Sequence, residues 1–222
     1  MRLAGSKSWR LSTSNDQAPH VCLYVRDAFG LVPVGPDVPP RLNDVIQVNE
    51  LSTELSDKSD SSLAWLLWWR RITHVIGTAQ LGQGRETMSP DEYFQAHVAA
   101  RQSVMDPFEG FESLTSYPSL RRAAQQTWKD GVAWTNAHAT GPLRHGSLIP
   151  KTVAEQVVEE NHVSPERVNA SVLVLSVGGR WSHITAPGML LCSEETFFDD
   201  SLFAIELKRT FESGLRPASD TA

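Results

Sequence analysis

Residues 169–193 read NASVLVLSVGGRWSHITAPGMLLCS, and the way this stretch pairs decides the fold. Val172 to Leu175 are β-branched or aliphatic, Gly178-Gly179 marks a turn, and RWSHIT (180–185) reads as a second strand around it. After Pro187-Gly188, the run MLLCS (189–193) predicts a third strand. A hairpin has open edges that need a partner. The nearest candidate upstream is HVCLYVRD (20–27), where Val21, Leu23 and Val25 alternate with Cys22, Tyr24 and Arg26. The fold class expected is therefore α+β: a helix-rich single domain with a small antiparallel sheet, built from an N-terminal strand and a C-terminal β-hairpin.

Helices fill the interval. GLVPVGPDVPP (30–40) is a loop with a short edge strand at 31–34, and RLNDVIQVNELSTELSD (41–57) predicts a helix. KSDSS breaks the chain and offers Asp60 and Ser61 as caps for a helix over 61–76. Ser89-Pro90-Asp91-Glu92 carries a cap, a proline at the first helical position and a Glu that closes a capping box. That helix presents Tyr93, Phe94, His97, Val98, Val104 and Met105 on one face and stops before Pro107. A further helix runs from Pro118 to His138, with Gly131 marking a close crossing, and a short one covers 151–161. Asp199-Asp200-Ser201 opens the last, whose Phe203, Ala204, Leu207 and Phe211 share a face. Residues 1–17 are polar and read as a flexible N-terminal arm, 18–213 as one domain, and 214–222 as a polar tail.

Three of the seven tryptophans fall in LAWLLWWRR (63–71). At 3.6 residues per turn, Trp65, Trp68, Trp69, Ile72, Val75 and Ile76 form one stripe, which is core-like. Leu63 and Leu67 point the other way beside Arg70 and His74, with Leu66 on the flank. A helix apolar on two sides is either sandwiched between layers or turned toward a partner, so Leu63, Leu66, Leu67 and Arg70 form a candidate interface.

Composition narrows the function. The net charge is -6, and Lys and Arg occur in scattered pairs with no basic stripe, which argues against nucleic-acid binding. The longest apolar run, seven residues, falls short of the roughly 20 a bilayer span needs. No export signal is legible at the N-terminus, so Cys22 and Cys192 are expected to be reduced, buried and cytoplasmic.

Site motifs are sparse. His138, Arg144 and His145 flank Gly141-Pro142 in a polar loop, the stretch best suited to an anion or small-molecule pocket. Glu159-x-x-His162 occurs once, whereas di-iron bundles need two copies with further carboxylates, so no metal is expected. LGQGR (81–85) lacks the Lys and Ser/Thr of a phosphate loop, and no cofactor is expected. His97 on an apolar helix face reads as a hydrogen-bonded core residue. The leading expectation is a non-enzymatic protein that binds a protein partner or itself. The alternatives are a small-molecule enzyme or binding domain using the 138–147 loop, and an acidic inhibitor working through its charge.

Overall fold

The computed structural model describes residues 8–44, 46–47, 58–81, 87–105, 111–138 and 148–215. Strand β1 (Arg10–Ser14) is followed by helices α1 (Gln17–Ala28), α2 (Lys58–Leu81), α3 (Pro90–Val104), α4 (Pro118–His138) and α5 (Ile149–Asn161). Strands β2 (Asn169–Leu175), β3 (Ser182–Ala186) and β4 (Met189–Ser193) come next, then α6 (Glu194–Phe198) and α7 (Asp200–Leu215). The protein is a helix-rich α+β domain.

Its sheet is mixed, not antiparallel, which corrects the expected pairing. The strand order is β1-β2-β4-β3, with β1 and β4 parallel to β2 and only β3 antiparallel to β4. The physical reason lies in β2. Val172 and Val174 enter one hydrophobic cluster while Leu173 and Leu175 enter the other, so both faces are covered. A strand covered on both sides has no polar face and belongs at the centre, between parallel neighbours. β4 takes the place that RWSHIT was expected to fill, and the hairpin turns at Pro187-Gly188. Gly188 sits there at φ +77°, where an added Cβ would lie 3.2 Å from the Asn169 carbonyl oxygen.

The strand expected over 20–27 is helix α1. An eight-residue apolar alternation fits either period, and the helix start decides between them. The Asp16 side chain accepts the Ala18 N–H, and Pro19 stands in the first turn. Almost the whole circumference of α1 is buried, because it packs between α4 and α2. The strand that joins the sheet is Arg10–Ser14, inside the stretch expected to be a flexible arm. Residues 31–34 form no strand. Leu42 makes a single antiparallel bridge to Val177, so no helix begins at Arg41. The rest of the helix expected over 41–57 falls mainly on residues 45 and 48–57, which lie outside the described residues.

Two cores flank the sheet. On one face Leu23, Trp65, Trp69 and Ala124 of α1, α2 and α4 pack on Leu173, Leu175 and Leu191. On the other, Val153, Val157, Phe203, Leu207 and Phe211 of α5 and α7 cover Val172, Val174 and Leu190. Each fully buried Phe or Leu there stabilises the fold by roughly 1.5–3 kcal/mol. Cys22 and Cys192 are buried, free and in different cores, so no disulfide joins them. Gly131 lets α4 approach α1, with the Tyr24 side chain 3.4 Å from where a Cβ would stand.

The tryptophans of α2 face inward and also fasten neighbouring segments. Trp65 and Trp69 stack at 5.6 Å. Their indole N–H groups donate to the carbonyls of Cys22 (2.7 Å) and Asp37 (2.9 Å), and that of Trp68 to Val104 (2.8 Å). Each buried donor is thereby satisfied by a different chain segment.

Candidate functional site

The C-terminal half of α2 passes over β4 and β3 and leaves a cleft of about 690 Å³ beside the β3 edge. Its lining takes Pro36 and Asp37 from the loop before α2, Arg70, His74 and Thr78 from α2, and His183, Thr185 and Pro187 from the strand side. Gly77 sets the floor: a Cβ there would meet the Met189 side chain at 3.1 Å, so the helix backbone rests on β4. Strand alternation points His183 toward α2, because its cross-strand partner Leu191 lies in the α2 core. A bulge between Ile184 and Ala186 then turns Thr185 and Ala186 together onto the cleft wall.

Arg70 grips Asp37 as a fork, Nε to Oδ2 at 2.7 Å and Nη2 to Oδ1 at 2.9 Å. These hydrogen bonds hold the Asp37 carboxyl below its ordinary range against the opposing effect of burial, and the nearby His183 adds to the lowering. The same bonds raise the Arg70 guanidinium. Asp37 is therefore a locked carboxylate and a poor general base. Arg70 Nη1 is left over, and among the described residues the ring nitrogens of His74 and His183 have no hydrogen-bond partner. Thr185 Oγ1 is shut away from water with no partner among the described residues.

The backbone of β3 adds a second open feature. Ser193 donates its N–H to the Trp181 carbonyl at 2.9 Å, so Trp181 and Ser193 are a hydrogen-bonded pair. Antiparallel pairs alternate, which makes His183–Leu191 the next bonded rung. Ser182 and Ile184 then direct their N–H and C=O groups away from β4, toward the edge that no other strand pairs with among the described residues.

The expected interface residues divide. Leu63 and Leu67 are 59% and 45% exposed, in line along α2 with Arg70 and His74. Leu66 is only 6% exposed and packs in the core, so it does not belong to that surface. Val32 and Val34 are exposed on the loop alongside, which is tied to α2 where Val32 N–H donates to Ser62 Oγ (3.1 Å).

Of the expected ligand residues, His138 does not line the cleft. His138 stacks on Trp134 at 4.8 Å, with Nδ1 2.8 Å from the Trp134 carbonyl oxygen and Nε2 2.9 Å from Asp44 Oδ2. Arg144 and His145 lie outside the described residues. His97 meets the Tyr93 ring edge-on at 4.0 Å, and its Nε2 has no partner among the described residues, so the hydrogen bond expected for it is missing at that nitrogen. The described residues hold no group of three or more potential metal ligands.

A serine, a histidine and a glutamate do converge elsewhere, in an order that blocks catalysis. His20 Nε2 accepts the backbone N–H of Ser176 (3.1 Å) rather than its hydroxyl, and Nδ1 faces the Asp16 carbonyl oxygen at 2.8 Å. Ser176 Oγ donates to Glu194 (2.9 Å). Burial lowers the His20 pKa below its ordinary value, so the ring is a neutral brace between α1 and the end of β2.

Sequence spacing does not single out Asp37, His183 or Thr185, since nothing in it places them opposite Arg70 and His74. Edge position in the sheet is the missing signal. Neither a family model, nor a curated protein, nor a solved structure matches this chain.

Proposed function

We propose that the protein acts by binding, not by catalysis, and that it takes an extended segment of a protein partner onto the free edge of β3, across the cleft and along α2. The observation that carries this reading is the pair of outward-facing backbone rungs, Ser182 and Ile184, opening beside a cleft whose α2 wall continues into exposed Leu67 and Leu63. Main-chain hydrogen bonds to an added strand supply affinity, and alternate side chains falling into a groove supply selectivity. Asp37, the carboxylate that lines the cleft, is locked by Arg70, which favours recognition over proton transfer. No helix among the described residues is long and apolar enough to cross a membrane.

The test is selection of short peptides displayed against the intact chain, followed by two variants. Ser182→Pro removes an outward N–H from an edge position where proline is tolerated. Leu67→Asp charges the wall without disturbing the core. Selected peptides that lose binding to both variants, while both melt like the parent, support edge addition. Peptides indifferent to both, or no selected peptide at all, overturn it.

A further inference from the structure

We infer that the segment taken by this cleft is acidic, its carboxylates being held by Arg70, His74 and His183; this rests on the edge-binding reading above. On a chain of net charge -6, this cleft has no unpaired carboxylate among its described lining residues: Asp37 is held by Arg70, and two imidazoles complete the titratable lining. Its charged and titratable lining groups are Arg70 and His74 from α2, His183 from β3 and Asp37 from the loop, with none from β4, which contributes Met189.

The sole carboxylate among these lining groups is already neutralised by the Arg70 fork. The other groups point donors into the space: Arg70 Nη1 on one wall, and on the two walls the imidazoles of His74 and His183. An imidazole offers at least one N–H in either protonation state, so donation here does not depend on charge. His183 lines the same cleft as the Arg70–Asp37 pair. An added strand alternates its side chains, so every second residue faces α2. One such residue, if Asp or Glu, meets Arg70 Nη1 and the two rings. The bulge after Ile184 limits the strand contact to the rungs before it. The recognised feature is thus short and centred on one acidic residue.

The test uses the full chain and three peptides sharing one Val/Thr frame, with Glu, Gln or Lys at the position facing α2. Binding is read by fluorescence anisotropy at low and physiological salt. The Glu peptide should bind about tenfold more tightly than the Gln peptide at low salt, with the preference shrinking as salt rises. The double variant His74→Gln plus His183→Gln should lose most of that preference while leaving the Gln peptide unaffected. Equal binding of all three peptides, still abolished by Ser182→Pro, overturns the acidic specificity and leaves the edge reading standing. Absence of binding by all three overturns both. Displacement of the Glu peptide by free succinate at matching affinity overturns the proposal in favour of a small dicarboxylate ligand.

Discussion

Two regions of this molecule use the same side chains to opposite ends. Around the start of the 31–42 loop, Arg26, Asp27 and Arg41 form a network whose hydrogen bonds close within the chain. Arg26 holds Asp27 at 2.6 Å and donates to the carbonyls of Pro39 (2.6 Å) and Pro40 (2.8 Å). Asp27 also accepts from Arg41 (2.7 Å) and from the Leu42 backbone (2.8 Å), and Arg41 reaches the Leu31 carbonyl at 2.8 Å. In the cleft, Arg70 and Asp37 make a similar fork, but a guanidinium nitrogen and two imidazoles have no hydrogen-bond partner among the described residues. Closed valences fasten the chain to itself, while open ones are available to something else. Residue type alone does not separate the two, and unfilled hydrogen-bonding capacity does.

The sharpest way to break this contrast is Asp27→Ala. It removes the carboxylate beside the buried Arg26 charge and the acceptor of four hydrogen bonds, two of them from Arg26, and should cost about 3–5 kcal/mol, read as a lower urea midpoint with an unchanged slope. Loss below about 1 kcal/mol would mean the network is not the clamp described.

Next in size is a pH effect on the other closed site. His20 is kept neutral by burial, so the unfolded chain binds a proton there that the native state refuses. Stability should therefore be whole above pH 6.5 and fall as pH drops below it, towards the lowered native pKa. NMR of the ring should show it still neutral at pH 6 in the folded protein. A ring that charges at its ordinary pH removes this contribution.

The smallest effect belongs to the open site. Asp37→Asn weakens a fork whose arginine is half exposed and solvent-screened, so about 1 kcal/mol or less should be lost at neutral pH. That contribution is present above the ordinary carboxylate range and disappears as pH falls through the lowered pKa of Asp37, so parent and variant should converge in acid. A cost as large as that of Asp27→Ala would place Asp37 among the clamps and erase the comparison.

Legibility in the sequence divides along the same line. The helix over 61–76, its inward tryptophans, the capping box at Ser89 and the close crossing at Gly131 are local signals, and each has its counterpart in the structure. β2 and MLLCS are legible as strands but not as neighbours, because pairing depends on which faces are covered, a tertiary fact. The unbroken run SVLVLSV does hold the clue, since a strand without polar alternation is a central one. HVCLYVRD misleads because eight residues satisfy both periods, and Asn15-Asp16 with Pro19 carries the deciding start signal. The cleft is legible only along α2, through Arg70, Leu63 and Leu67. Its other wall comes from loop 36–37 and β3, and no sequence spacing joins them.

The topology also orders assembly in time. β1 must sit beside β2, with Arg10 opposite Asn169 in a chain of 222 residues, so the first strand waits for most of the polypeptide before it has anything to pair with. Such long-range closure is entropically slow. On the ribosome, α1, α2 and α4 can gather around their tryptophans while their sheet-facing side is still bare. Until β2 and β4 emerge, that apolar underside has no cover, and the last third of the chain is the keystone that supplies it.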